Sequence, residues 1–162
     1  MLTASSAYDK DIISKLEKYI ADGGKAVVTS GFVKATLDKG LMNLTSLRDR
    51  NRKATIDEFA AEPSRQYIWN RDFSKKPVTI PVLEYRNNAT WGALCKGLAE
   101  EESYTLLSLD TYGDGQMYTL VVPESFSDIK YFQHLQNFAS TDLSSFSRRS
   151  LPITTSLALS NS

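Results

Sequence analysis

The chain has 162 residues, of which 41% are hydrophobic and 23% are charged, so it is long enough to bury one core. Its 19 basic and 19 acidic residues cancel, which excludes an overall field that would attract nucleic acid or an anionic membrane. The single cysteine excludes an internal disulfide, and no apolar run reaches the length of a transmembrane helix.

The first 40 residues predict a helix, a strand and a second helix. Apolar residues recur at helical spacing between residues 9 and 22. Gly23 and Gly24 follow, and glycine can adopt the left-handed conformation that ends a helix. The β-branched residues of 26–30 lack polar alternation, which suits a strand that is covered on both faces. Residues 32–39 then predict a short helix.

The middle of the chain gives weaker signals. The arginine-rich segment 48–53 lacks periodicity and predicts a surface loop. Residues 55–58 have the spacing of a capping box, which predicts a short helix over 55–61. Residues 67–69 and 78–83 predict strands, and a proline in the second places it at a sheet edge or makes its end irregular. Residues 91–99 predict a helix or a turn.

The clearest β signal lies in the last third. Residues 104–109 and 116–122 flank the turn sequence Tyr-Gly-Asp-Gly at 112–115, and its glycines supply the positive φ angles of a hairpin loop. An antiparallel hairpin is therefore predicted. Residues 127–138 predict a helix with one apolar stripe. The serines and threonines of 141–162 predict a flexible tail.

Two segments carry a resemblance to a known family. Residues 19–31 (Tyr-Ile-Ala-Asp-Gly-Gly-Lys-Ala-Val-Val-Thr-Ser-Gly) resemble the crossover of the class I glutamine amidotransferase-like fold, most of all the non-catalytic versions in β-galactosidase trimerisation domains. Residues 112–123 are similar to the glycine-turned hairpin near the end of such domains. The resemblance implies an α/β fold: a flavodoxin-like three-layer sandwich with a central, mostly parallel sheet and an antiparallel C-terminal hairpin.

The catalytic residues of that family do not carry over. Active amidotransferases place a cysteine on the turn after such a strand, activated by a histidine that a carboxylate orients. Here the turn holds Thr29, Ser30 and Gly31, and no His-x-Glu pair follows the only histidine, His134. Ser30 and His134 are the candidate catalytic residues: a strand-to-helix elbow exposes a serine, and His134 could act as the base of a Cys95 thiolate. The simpler interpretation is that Ser30 caps the next helix and that Cys95 is buried.

A second candidate site is the arginine-rich segment. Arg48, Arg50, Arg52 and Trp69 combine basic and aromatic side chains, which can bind phosphates or stack on sugars. The alternative is a solvated loop in which the arginines pair with nearby acidic residues, namely Asp49, Asp57 and Glu58. No metal or cofactor is predicted, because one histidine and one cysteine cannot complete a zinc site. A calcium loop starting at residue 110 would lack its bidentate glutamate.

The sequence predicts an amidotransferase-like α/β domain over 1–140, either complete or part of a larger protein, followed by the tail 141–162. We predict a non-catalytic accessory or oligomerisation module related to carbohydrate-active multidomain proteins. The alternatives are a small serine hydrolase using Ser30 and a sugar- or phosphate-binding domain using the 48–71 segment. Expected partners are further copies of the chain or neighbouring domains of a longer protein, with neither nucleic acid nor membrane. A cytoplasmic location is expected, with an exported parent protein as the alternative.

Overall fold

The structure is a computed structural model that describes residues 1–61, 71–86, 92–100, 102–124 and 131. In these described ranges, two short α-helices and six strands make up the regular structure, with short 3₁₀ turns between residues 4 and 43. In chain order these elements are α1 (Ile12–Ala21), β1 (Lys25–Thr29), α2 (Ser30–Thr36), β2 (Leu47–Ala61), β3 (Arg71–Tyr85), β4 (Ala93–Ala99), β5 (Glu102–Tyr112) and β6 (Gly115–Leu120).

The six strands form one mixed sheet in the order β1-β6-β5-β4-β2-β3. Within the described ranges only the β1–β6 pair is parallel, and the other neighbours are antiparallel. The sheet curls into a half-barrel. The Glu124 amide, just after β6, therefore reaches β3 at the far edge and donates to the Thr79 carbonyl at 3.1 Å.

The predicted α/β three-layer, flavodoxin-like sandwich with a mostly parallel sheet is wrong. The described part of the chain is mostly β, and the two short helices within it cannot cover both faces of a sheet. The error arises in the middle of the sequence, where the patterns predict a loop over 48–53, a helix over 55–61 and a helix or turn over 91–99. The structure places 48–53 and 55–61 in the long strand β2, and 93–99 in β4.

The capping-box pattern failed because pairing across the sheet overrides a four-residue local signal. Thr55 lies opposite Thr79, and Ile56 lies opposite Val78, within the β2–β3 ladder. Ile56 and Phe59 are fully buried there. A single helical turn would bury neither side chain in this core.

Several local predictions are confirmed. Residues 12–21 are helical, a two-residue loop joins β5 and β6, and Gly113 has the expected positive φ of 57°. Residues 78–83 lie in β3, which is an edge strand as its proline indicated.

Strand β1 differs from its prediction in one respect, since only one face is well covered. Val28 is buried and Val27 is partly exposed. The strand lies at the edge of the sheet, where Leu2 pairs alongside it. The Leu2 amide donates to the Val27 carbonyl at 2.8 Å, and the Thr29 amide donates to the Leu2 carbonyl at 3.0 Å.

The two faces of the sheet differ in burial. Along β6 buried residues alternate with partly exposed ones, as expected for a strand with one buried face. A Cβ atom added to Gly115 would lie 2.0 Å from the Ile20 carbonyl oxygen, so α1 packs on the face that Gly115 shares with Met117 and Thr119. We call this the inner face. It carries most of the core, including Ile20, Val28, Ile56, Phe59, Leu106, Met117 and Val121.

Residues 67–69, most of the predicted helix over 127–138 and the predicted tail 141–162 lie outside the described residues. Tyr131 is described and is fully buried. Its hydroxyl donates to the Val121 carbonyl at 2.8 Å, and its ring meets Phe59 edge to face, with centroids 5.7 Å apart. Tyr131 therefore extends the core on the inner face.

Candidate functional site

Ser30 is held in a structural contact at the start of α2. Its side chain is buried, and its Oγ accepts a hydrogen bond from the Val122 amide at 3.1 Å. The helix cap is Thr29, whose Oγ1 accepts from the Phe32 amide at 3.3 Å. The prediction that Ser30 caps the helix is therefore wrong by one residue. Ser30 instead connects the start of α2 to the segment after β6.

His134 lies outside the described residues, so a catalytic role for Ser30 or for His134 stays a prediction. Cys95, the other candidate nucleophile, is buried on β4 with 1% of its surface exposed. Burial raises the pKa of its thiol to about 12, so the thiol stays protonated and unreactive at neutral pH. No three His, Cys, Asp or Glu side chains come together as a metal site within the described ranges.

The arginine-rich segment forms a charged network on β2. Arg50 and Arg52 both bind Glu84 of β3, and the Arg52 Nη2 to Glu84 Oε1 distance is 2.9 Å. Arg52 also lies 3.8 Å from a Glu102 carboxylate oxygen and 5.9 Å from the centroid of the Tyr104 ring. The hydrogen bonds from Arg52 and Arg50 hold the pKa of Glu84 below its usual value. The hydrogen bond to Glu102 raises the pKa of Tyr104.

A bulge in β2 makes this convergence possible. The register passes from Asp49 opposite Leu83 to Lys53 opposite Pro81, so three residues of β2 face one residue of β3. At the centre of the bulge Asn51 has a φ of 56°, and its amide donates to Asp49 Oδ1 at 2.9 Å. This is an Asx turn, for which the Asp-x-Asn sequence was an available but overlooked signal.

The structure brings together only part of the predicted ligand-binding set. Arg50 and Arg52 do pair with acidic residues, but these are Glu84 of β3 and Glu102 of β5, whereas the alternative interpretation named acidic residues of the neighbouring sequence. Arg48 is half-buried, and its Nε has no hydrogen-bond partner among the described residues. Trp69 lies outside them. Ligand binding by Arg48, Arg50, Arg52 and Trp69 stays a prediction.

The sequence reasoning missed a second surface on the other side of the sheet. Val27, Tyr118 and Leu109 lie directly opposite one another on β1, β6 and β5. Side chains in such positions point to the same side, here away from the inner face. All three are partly exposed. With the other partly exposed leucines of this side they form what we call the outer apolar face: Val27, Leu94, Leu98, Leu107, Leu109, Tyr118 and Leu120.

The outer apolar face has a polar border. The next row across the same three strands is Lys25, Gln116 and Thr111. Partial burial raises the pKa of the Tyr118 hydroxyl, as expected for a phenol set among apolar side chains. An apolar patch with a polar rim is typical of a contact surface between proteins.

Comparison with solved structures identifies the same fold in larger proteins. β-Galactosidase from Bacillus circulans sp. alkalophilus is similar over 82% of this chain and 21% of its own, with a TM-score of 0.50 and 16% identity. β-Galactosidase from Rahnella sp. R3 gives the same coverage, with a TM-score of 0.51 and 14% identity. The fold resembles a domain within β-galactosidase chains. The present chain thus spans about a fifth of the length of these enzymes.

The similarity extends to a smaller protein. Cytoplasmic protein STM1381 from Salmonella typhimurium LT2 matches 89% of this chain and 68% of its own, with a TM-score of 0.55 and 14% identity. No protein-family model matches the sequence, and no curated protein does. At these identities the similarity concerns the fold. Among the described residues, no helix is both long and apolar enough to cross a membrane.

Proposed function

We propose that the chain is a non-catalytic accessory module of the kind found in carbohydrate-active multidomain proteins, and that it associates with copies of itself through the outer apolar face. The observation that carries the proposal is that row of partly exposed apolar side chains, Val27, Tyr118 and Leu109, on three adjacent strands. The similarity to β-galactosidase domains supports the carbohydrate-active context.

Association would bury the remaining exposed area of these side chains. A sheet with one buried face ordinarily carries polar residues on its other face. Here the outer positions of β4 and β6 carry four apolar side chains, Leu94, Leu98, Tyr118 and Leu120, against two polar ones, Lys96 and Gln116. Removing that apolar surface from water is favourable in proportion to its area. The polar border of Lys25, Gln116 and Thr111 would form the rim of such a contact.

The described candidate nucleophiles support a non-catalytic role. Ser30 Oγ is buried and accepts a backbone hydrogen bond, whereas the serine of a nucleophile elbow is exposed. Cys95 is buried with a raised pKa. Arg50 and Arg52 share the Glu84 carboxylate, which offsets part of their positive charge and so reduces their attraction for an anionic ligand.

Light scattering after size-exclusion chromatography tests the proposal. We expect the chain to elute as an oligomer, and we expect Leu109→Glu to elute as a monomer because it places a charge in the centre of the apolar row. Thr111→Glu is the matched control, since it introduces the same group two residues along β5 at the exposed border. A monomeric wild-type chain, or equal effects of the two variants, would contradict the proposed association. Turnover of chromogenic acyl or glycosyl substrates would contradict the non-catalytic role.

A further inference from the structure

Two buried hydroxyl groups on the inner face have no hydrogen-bond partner among the described residues. Ser108 of β5 and Thr119 of β6 are 0% and 1% exposed, respectively. Neither Ser108 Oγ nor Thr119 Oγ1 forms a hydrogen bond within the part of the chain that the structure describes. Buried hydroxyls in folded proteins are nearly always hydrogen-bonded, to protein atoms or to ordered water.

The two residues are direct neighbours across the sheet. Ser108 lies opposite Thr119 in the antiparallel β5–β6 register, which brings the two Cβ atoms to about 4.5–5.5 Å from each other. Along the same row, Val28 adjoins Thr119 and Ala93 adjoins Ser108. The two hydroxyl groups therefore have apolar neighbours on both sides of the row. The apolar side chains of Val28 and Ala93 offer them no hydrogen-bond partner.

We propose that Ser108 and Thr119 together bind one buried water molecule on the inner face. A water molecule can accept from one hydroxyl and donate to the other, which satisfies both groups at once. Its immobilisation costs less than leaving two hydroxyls desolvated and unpaired. The site is independent of the outer apolar face and of the proposed association, because it lies on the opposite side of the sheet.

Two other buried threonines of this fold do form hydrogen bonds with protein atoms. Thr36 is also fully buried, and its Oγ1 donates to the Phe32 carbonyl at 2.7 Å. Thr45, 3% exposed, donates to Asp110 Oδ2 at 2.9 Å. Both find partners within the chain. The Ser108–Thr119 pair is thus distinct from other buried threonines of this core.

A crystal structure of the chain at about 1.5 Å tests the proposal directly, since such a resolution shows ordered buried water. We expect one water within hydrogen-bond distance of both hydroxyl oxygens. Electron density without a water there, or with the two hydroxyls bonded to protein atoms, would overturn the proposal.

Thermal unfolding gives an independent test with Ser108→Ala, Thr119→Val and the double variant. If the two hydroxyls share a water, each single variant lowers Tm by about 2–4 °C, and the double variant lowers it no further than the more harmful single one. If the hydroxyls are dry and unpaired, each apolar replacement raises Tm and the two effects add, which would contradict the proposal. Thr36→Val is the control: it removes a direct hydrogen bond and should lower Tm in either case.

Discussion

The Ser30 hydroxyl accepts a hydrogen bond from the Val122 amide at 3.1 Å, although the two residues are 92 positions apart in the sequence. This contact joins the start of α2 to the segment that follows β6. It uses a lone pair of the atom that would have to attack a substrate in a serine hydrolase. The strand-to-helix turn therefore serves the architecture of the protein.

Replacing Ser30 with alanine should destabilise the fold. The variant leaves the partly buried Val122 amide without its acceptor, which costs about 1–2 kcal/mol of unfolding free energy. Urea denaturation measures this difference, with Ser14→Ala on the exposed side of α1 as a control that should cost much less. Labelling of the wild type by a fluorophosphonate probe, lost in Ser30→Ala, would show instead that Ser30 is a nucleophile.

Gly115 should tolerate no side chain. A Cβ at this position would lie 2.0 Å from the Ile20 carbonyl oxygen and 2.5 Å from that of Gly24, so α1 would have to move away from β6. We expect Gly115→Ala to lose about 3 kcal/mol or more of stability.

The matched control for this variant is Gly31→Ala. A Cβ added to Gly31 would lie 3.4 Å from its nearest neighbour, the Cβ of Ala4, and Gly31 lies in the helix α2. Its stability should stay the same or rise by up to about 1 kcal/mol. Equal losses for the two variants in thermal or urea unfolding would mean that α1 does not pack against the inner face at Gly115.

The Glu84 network should contribute stability that depends on pH. Hydrogen bonds from Arg52 and Arg50 lower the pKa of Glu84 in the folded state, so its contribution is fully present above the ordinary carboxyl pKa of 4.5. It disappears as the pH falls through the lowered folded-state pKa. Glu84→Gln should cost about 0.5–1 kcal/mol at pH 7, because the pairs are partly solvent-exposed.

Urea unfolding over a series of pH values measures this effect. The difference between wild type and Glu84→Gln should shrink to near zero in acid. Asp57→Asn, at an exposed position of β2, should show no comparable change. A difference that persists unchanged at acid pH would mean that Glu84 acts through packing and not through its charge.

Cys95 should make the fold sensitive to alkali. Its thiol has a pKa of about 12 in the folded protein, against 9.0 for an ordinary thiol, because it is buried. Between these values the unfolded chain loses the thiol proton first, so stability falls as the pH rises, by about 1.4 kcal/mol at pH 10. Cys95→Ala should lack this loss when unfolding is measured at pH 8 and at pH 10. Rapid reaction of the native thiol with a maleimide at neutral pH would show that Cys95 is accessible.

The local elements could be predicted because their signals lie within a few residues. The apolar spacing of α1 and the glycine of the β5–β6 turn determine backbone conformation directly, and both predictions are confirmed. The long strand β2 could not be predicted in the same way. Thr55 and Glu58 satisfy a helix-start pattern, but the strand is stabilised by its ladder with β3, whose residues come some 20 positions later in the sequence.

The charged network on β2 and the outer apolar face were harder still to predict, because both depend on the register between strands. Arg50 and Arg52 converge on Glu84 only because the bulge at Asn51 redirects them. The row of Val27, Tyr118 and Leu109 exists only once β1 pairs with β6 in parallel and β6 with β5 in antiparallel orientation. Each of these residues looks ordinary in its own segment. The sequence resemblance pointed to β-galactosidase domains, and the structure shares its fold with domains of β-galactosidase chains, while the layered α/β architecture that the resemblance implied is wrong.

Methyl NMR spectra recorded over a dilution series test most directly whether the outer apolar face is the contact surface of a self-associating module. The account predicts that methyl signals of Val27, Leu109 and Leu120 shift with protein concentration, while those of the buried Ile56 and Val78 stay constant. Concentration-dependent shifts confined to other surfaces, or spectra that do not change over the whole series, would contradict it.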